Sequence, residues 1–174
     1  SASESEVWLL DLSTLERRRL LPLRDEDRAV WRASEFSADG SELFVQSDRF
    51  GEFNELLRFD FGTAALARIT AAVPWDVGGL TQSADGSMIA VLVNAEGSGE
   101  LHLFDARTLK PLPAPPLPAG SVFQAQFHPQ RSELALSVSS AQGPGQIHVV
   151  DLAGGATRNW SGSSAPPGLD TRNF

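Results

Sequence analysis

The sequence predicts an all-β protein made of four-stranded units repeated along the chain. Three observations support this fold class. An aspartate closes a short apolar strand four times, with spacings of 49, 45 and 46 residues. A Ser-Ala-Asp-Gly turn occurs at residues 37–40 and again at 83–86. No stretch of about a dozen residues keeps a clean helical period. The four aspartates are Asp11, Asp60, Asp105 and Asp151.

Each full unit is about 45 residues long and contains four predicted strands, because strand-like apolar alternation is interrupted by turn residues. In the second unit the predicted strands are 30–36, 42–46, 55–61 and 65–70. In the third they are 76–82, 88–94, 100–105 and 108–112. In the fourth they are 121–127, 133–139, 146–151 and 157–160. The first unit is incomplete, with predicted strands at 7–11 and 15–20 only.

Four-stranded units of this length in series are typical of a β-propeller. One such sheet cannot cover both of its faces, but radial stacking lets each sheet cover its neighbour. The prediction is therefore a partial propeller of about three and a half blades over residues 1–160. Its half blade is expected at 1–23 and its full blades at about 30–72, 73–118 and 119–160.

Composition excludes several classes of function. The 174 residues carry 14 Lys and Arg against 22 Asp and Glu, a net charge of −8, so we expect binding to neither nucleic acid nor a membrane. The absence of cysteine excludes disulfides and thiolate chemistry. The longest aliphatic run, residues 89–93, is far shorter than the roughly 20 residues of a spanning helix. Cytoplasm and periplasm of a bacterium both remain open.

Two stretches carry a family resemblance. Residues 36–60 contain Ser-Ala-Asp-Gly, a strand, Ser-Asp-Arg-Phe-Gly and a strand that ends in Phe-Asp. Residues 74–97 contain Pro-Trp-Asp-Val, a second Ser-Ala-Asp-Gly and Val-Asn-Ala-Glu-Gly. This pattern resembles the propeller repeats of the prolyl oligopeptidase family of serine peptidases, especially its acylaminoacyl-peptidase-like members. The chain departs from the family pattern at Ala38 and Ala84, which replace proline, and at His128, where Asp-Gly is missing.

The resemblance implies that the chain is the last three and a half blades of a seven-bladed propeller. Residues 161–174 would then be a connector toward an α/β-hydrolase domain that begins after Phe174. The parent would be a hydrolase that acts on oligopeptides, and its propeller would restrict access to the active site. The alternative interpretation is a TolB-like or WD-type propeller that acts as a protein-binding scaffold.

The chain itself is predicted to hold no catalytic residues, cofactor or metal. It contains no Gly-x-Ser-x-Gly, the turn that exposes the nucleophile of such hydrolases. His102 and His148 occupy the same position in successive units, but no third ligand recurs beside them, so packing on a strand face is favoured over a metal pair. His128 is predicted to bond turn backbone. The four repeated aspartates are predicted to accept backbone N–H bonds in turns, rather than to form a carboxylate ring.

The predicted substrate-facing residues are Arg49 and Trp75. They lie in loops that share one face of the predicted propeller, while the Ser-Ala-Asp-Gly turns lie on the opposite face. The loops of that face are 24–28, 71–74, 112–120, 47–53, 95–99 and 139–145. Residues 24–28 are interpreted as a solvated loop and the proline-rich segment 111–118 as a stiff connector. Three and a half blades would leave two uncovered ends, which predicts a homodimer or larger aggregate of the isolated chain, with a monomeric open arc as the alternative.

Overall fold

A computed structural model describes residues 4–140 and 143–161, with side chains from 145 onward in the second range. Within these ranges the regular structure consists of fourteen antiparallel strands and turns, which confirms the all-β fold class. The same residues contain no helix of the length and apolarity needed to cross a membrane. The chain divides into two compact units, Ser1–Val77 and Gly78–Phe174, which are described separately.

The first unit contains a two-stranded and a four-stranded sheet. The two-stranded sheet pairs β1 (Val7–Leu10) with β2 (Arg17–Leu21). The four-stranded sheet has the order β3 (Trp31–Phe36), β4 (Glu42–Ser47), β5 (Glu55–Asp60) and β6 (Leu66–Arg68). One face of β4 and β5 packs with Val7, Leu20 and Leu21 into a common core. Leu43, Val45, Leu57 and Phe59 form that face.

The second unit contains two four-stranded sheets. The first has the order β7 (Asp76–Gln82), β8 (Met88–Ala95), β9 (Ser98–Asp105) and β10 (Pro111–Leu112), and β7 begins within the first unit. The second has the order β11 (Ser121–Phe127), β12 (Glu133–Ser140), β13 (Gly143–Asp151) and β14 (Thr157–Asn159). Ala90, Leu101 and Leu103 of the first sheet pack against Leu134 and Leu136 of the second.

Two strands start at least two residues later than the sequence predicts. β2 begins at Arg17 instead of residue 15, and β10 spans only Pro111–Leu112 instead of 108–112. Leu15 and Leu109 are turn residues with φ of 60° and 59°, and each donates its N–H to the aspartate that starts the turn. Leucine rarely adopts this left-handed conformation. A leucine at this position therefore does not indicate a turn in the sequence. Most of the predicted connector, residues 162–174, lies outside the described residues.

Candidate functional site

The β4–β5 loop of the first unit is joined by hydrogen bonds to the connections on both sides of its sheet. Asp48 Oδ1 accepts the backbone N–H of Val30 at 2.8 Å. Asn54 donates its backbone N–H to Asp76 Oδ1, also at 2.8 Å, and its carbonyl accepts the N–H of Val77. Within this unit the loops from second to third strand and from fourth to next first strand therefore lie at one end of the sheet. We call it the Arg49 end.

Arg49 is held in place by an ion pair. Its Nε donates to Asp27 Oδ1 at 3.1 Å, and its Nη2 donates to the same oxygen. Its backbone N–H is bonded to Ser47 Oγ, and its guanidinium lies 5.8 Å from the centre of the Phe50 ring. Both charged side chains are partly exposed, so the pair contributes at most about 1 kcal/mol to stability. Its main effect is to orient the guanidinium.

A second arginine lies on the same phenylalanine. The Arg68 guanidinium is 5.1 Å from the Phe50 ring centre. It also makes two hydrogen bonds with the buried Glu55, at 2.7 and 2.6 Å, and this raises the pKa of Arg68 above its ordinary value. Two parallel bonds are the strong geometry for arginine and carboxylate, and they compensate the burial of the Glu55 charge. Phe50 therefore contacts two guanidinium groups, those of Arg49 and Arg68, while the residue stays 43% exposed.

Trp75 belongs to a neighbouring aromatic pair. Its ring centre lies 5.9 Å from that of Phe53, with the planes tilted by 55°. Both side chains are half-buried. Beside them, Asn54 Oδ1 is a buried acceptor with no hydrogen-bond partner among the described residues. An unpaired buried acceptor is uncommon and disfavoured, and it suits a ligand that brings an N–H or O–H donor.

The structure places Arg49 and Trp75 at the same end of the first unit, but in separate contacts. Sequence reasoning did not find their partners Asp27 and Phe53. Arg24, Asp25, Glu26 and Arg28 are exposed, as expected for the solvated loop predicted at 24–28. Asp27 is the partly buried residue of this loop, with a side chain that is 24% exposed and ion-paired. Asp27 and Arg49 are 22 residues apart, and no local pattern pairs residues at that spacing. The one sequence signal for an aromatic contact at this end is Phe-Gly-Glu-Phe, residues 50–53, in the loop between β4 and β5.

The Ser-Ala-Asp-Gly turns lie at the other end of their strands and close on themselves. Asp39 Oδ1 accepts the N–H of Ser41 at 3.0 Å and the hydroxyls of Ser37 and Ser41 at 2.7 and 2.8 Å. These bonds lower the pKa of Asp39 to about 2. Asp85 repeats this geometry: bonds from the hydroxyl of Ser83 and then from Ser87 lower its pKa to about 2 as well. In both turns, Oδ1 of the aspartate is bonded to serine groups of the same turn.

His128 occupies the corresponding turn of the last sheet. Its Nδ1 accepts the backbone N–H groups of Gln130 and Arg131 at 3.0 and 3.1 Å. The imidazole therefore takes the place of the serine and aspartate side chains of the other two turns. The prediction that His128 bonds turn backbone is confirmed.

The four repeated aspartates also act in turns. Each accepts a backbone N–H two or three residues later, at 2.7 to 2.9 Å, as predicted. The hydrogen bonds from Ser13, Thr63 and Thr108 lower the pKa of the first three of these carboxyls. The donors are Ser13 to Asp11, Thr63 to Asp60, Thr108 to Asp105 and Ala153 to Asp151.

The repeated histidines lie on strands, each beside a polar residue two positions earlier. His148 is buried, and its Nε2 lies 3.1 Å from Gln146 Oε1. His102 Nε2 lies 3.5 Å from Glu100 Oε2, too far for a strong hydrogen bond. In the described part of the chain, no three His, Cys, Asp or Glu side chains come together as metal ligands.

Comparison with known families decides the kind of propeller. The family described as "Prolyl oligopeptidase, N-terminal beta-propeller domain" matches residues 1–162. The chain belongs to this family. The β-propeller fold and the predicted resemblance are thereby confirmed. No curated protein sequence matches the chain.

Solved structures agree on the propeller fold. A prolyl endopeptidase, analysed for the role of inter-domain dynamics, has a TM-score of 0.73 and 15% identity over 91% of the chain. A puromycin hydrolase has a TM-score of 0.67 and 20% identity over 91% of the chain. TolB from Acinetobacter baumannii has a TM-score of 0.63 and 24% identity over 90% of the chain. The chain spans 23% of the length of the prolyl endopeptidase, 24% of the puromycin hydrolase and 37% of TolB. At such identities the likeness shows the fold alone.

Proposed function

We propose that this propeller segment restricts the access of oligopeptides to an α/β-hydrolase domain of a serine peptidase. The observation that carries the proposal is the family match over residues 1–162. Two of the similar solved structures, a prolyl endopeptidase and a puromycin hydrolase, agree with a peptidase parent. The proposed organisation is a partial propeller at 1–160, with residues 161–174 leading toward the hydrolase.

The proposed role is physical exclusion, because this chain has no nucleophile elbow of its own. A propeller that covers an active site admits an extended peptide but excludes a folded protein. Selectivity then depends on the width and the lining of the entry, and the bond-breaking groups belong to the other domain.

Within this role, we propose that the Arg49 end faces the substrate. Three features support the proposal. Arg49 presents an oriented guanidinium, which suits the carbonyl and carboxylate oxygens of a peptide. Trp75 and Phe53 offer an aromatic surface for apolar side chains. Asn54 Oδ1 is an acceptor in need of a donor such as a peptide N–H.

The test begins with the coding sequence downstream of Phe174. We expect a Gly-x-Ser-x-Gly elbow about 100–150 residues further on, followed by the aspartate and histidine of a triad. The full-length protein should then hydrolyse a short chromogenic peptide, but not the same sequence inserted in a loop of a folded protein. Equal cleavage of both substrates would show that the propeller excludes nothing.

The second candidate function is a TolB-like scaffold that binds other proteins. The similarity to TolB, with a TM-score of 0.63 over 90% of the chain, supports this second candidate. This candidate predicts no hydrolase motif downstream of Phe174. A gene that continues without the elbow, or whose full-length product leaves all peptide substrates intact, would support the scaffold over the peptidase.

A further inference from the structure

The outer edge of β9 is incompletely paired. β8 and β9 are joined by a two-residue turn, and their register places Ala95 opposite Ser98 and Leu92 opposite Leu101. In an antiparallel pair closed this way, alternate residues of β9 direct their N–H and C=O groups away from β8. Leu101 and Leu103 are two of these outward residues. Leu103 pairs with Leu112 of β10, but β10 ends there.

The same position is fully paired in the other two sheets. In β5, Leu56 donates its N–H to Thr70 Oγ1 at 2.9 Å and accepts the N–H of Ile69 at 2.9 Å. In β13, Ile147 donates to Ser161 Oγ at 2.9 Å and accepts from Trp160 at 2.8 Å. For Leu101, whose side chain is buried, the described residues supply neither a hydroxyl nor a backbone partner on this edge.

Prolines explain the difference. Counted from the repeated aspartates, Pro115 stands where the other sheets have Thr70 and Ser161, and Ala114 stands where they have Ile69 and Trp160. Proline has no N–H and no hydroxyl, and it restricts the residue before it. Pro113, Pro115 and Pro116 therefore keep the chain from continuing β10 along β9.

A cavity of about 440 Å³ lies beside this edge. Leu101, Leu112, Leu117 and Val122 contribute apolar walls. Its volume falls in the range of roughly 300–1,000 Å³ that is usual for ligand pockets. The edge is also firmly positioned. Gly99 donates its N–H to Ser121 Oγ, and its Cα is so close to the Val122 carbonyl that an added Cβ would lie 1.8 Å from that oxygen.

One carboxylate lies at the cavity. Glu100 is 54% exposed and is the one acidic residue in the lining that the structure describes, and that lining contains no Lys or Arg. His102 also lines it, and its buried Nε2 has no hydrogen-bond partner among the described residues. A ligand with a positive charge next to an apolar group complements this arrangement.

We propose that the outer edge of β9 binds an extended peptide as an added strand. The backbone of the peptide would pair with the N–H and C=O of Leu101, one apolar side chain would enter the cavity, and a neighbouring basic side chain would pair with Glu100. Strand addition takes its affinity from main-chain hydrogen bonds and its specificity from alternate side chains. This goes beyond the proposed function, since it requires no hydrolase domain and can be measured on the 174-residue chain.

The premise has an internal control. In native-state hydrogen exchange, the amide of Leu101 should exchange at least tenfold faster than those of Leu56 and Ile147, because its N–H lacks their partners. Addition of acetyl-Thr-Val-Lys-Val-Thr-amide should shift the Leu101 amide resonance saturably and slow its exchange at least tenfold. The same peptide N-methylated at its three central residues should bind at least tenfold more weakly, because it has lost the donors on both edges.

Two variants test the site from the protein side. Pro115→Thr supplies the hydroxyl found at Thr70 and Ser161, and should slow Leu101 exchange in the free chain and weaken peptide binding at least tenfold. Glu100→Gln should remove the preference for the lysine peptide over its glutamate counterpart, while Glu16→Gln, a control with the same charge change at an exposed site, should preserve it.

Four results would each overturn the proposal: no binding of the lysine peptide at millimolar concentration, equal binding of the N-methylated peptide, resonance shifts that leave Leu101 unaffected, or protection of Leu101 by concentrating the chain alone. The last result would assign the edge to a second copy of the chain. None of these measurements depends on peptidase activity, so failure here and failure of the proposed function are separate outcomes.

Discussion

The guanidinium of Arg49 is bonded to the carboxylate of Asp27, a residue 22 positions earlier in the chain, with Nε 3.1 Å from Oδ1. Asp27 lies in the connection that precedes β3, whereas Arg49 lies between β4 and β5. The bond therefore couples two loops at the same end of one sheet. It also gives the proposed substrate-facing arginine a fixed direction.

Release of this arginine should affect substrate use more than stability. We expect Asp27→Asn to change the free energy of unfolding by less than about 1 kcal/mol, because the pair is partly exposed. In the full-length enzyme, the KM for oligopeptides should change in the same direction as in Arg49→Ala. Glu26→Gln removes the same charge from an exposed neighbour and should leave KM unaltered. If the Asp27 and Glu26 variants behave alike, the ion pair does not position Arg49 for substrate.

The two ends of the strands should differ in their influence on specificity. In the full-length enzyme, Arg49→Ala and Trp75→Ala should alter the ratio of kcat/KM between peptides several-fold, because both side chains lie at the proposed substrate-facing end. Asp39→Asn and Asp85→Asn should alter it little, since those carboxylates bond within their own turns. The comparison is made between variants of matched melting temperature. The opposite ranking would place the substrate at the Ser-Ala-Asp-Gly end.

The turn aspartates should make stability depend on pH in acid. Their folded pKa of about 2 is below the ordinary 3.8, so their ionised forms favour the folded state. This contribution is complete above about pH 4 and is lost as the pH falls through about 2. We expect the double variant Asp39→Asn, Asp85→Asn to be less stable than the parent at pH 5, with a difference that shrinks toward pH 2. Urea unfolding across this range measures it, and a constant difference would contradict the assignment.

The isolated chain should have no peptidase activity, because it contains no nucleophile elbow. Purified chain incubated with aminoacyl, acylaminoacyl and prolyl chromogenic substrates should match the buffer blank. A contaminating peptidase would disappear on repurification. Turnover that persists and is blocked by a serine-directed reagent would show that the chain has a catalytic serine of its own.

The isolated chain should also associate with itself. Trp8 and Leu10 of β1 are 50% and 49% exposed, and Trp160 is 72% exposed, so each unit presents large apolar side chains to solvent. We expect a homodimer with twice the mass of 18.7 kDa. Light scattering after size exclusion should show this mass falling on dilution. A constant 18.7 kDa with a sharp thermal transition would rule the dimer out.

The sequence by itself determined the repeat, the strands and the turns. These features are local: alternation of period two marks a half-buried strand, and glycine accepts the positive φ of 72° at Gly40 and 68° at Gly86. The starts of β2 and β10 escaped prediction because Leu15 and Leu109 adopt a turn conformation that leucine disfavours, and the turn aspartates hold them there.

Tertiary structure alone decided which distant groups meet. The sequence placed Arg49 and Trp75 in loops of one end, but only the folded first unit brings Asp27 to Arg49 and Phe53 to Trp75. The proline-rich segment was predicted to be a stiff connector, but its consequence for Leu101 depends on strand register in the second unit. A hydrogen bond or an ion pair between distant residues depends on their separation in space, which follows from how whole sheets pair and pack.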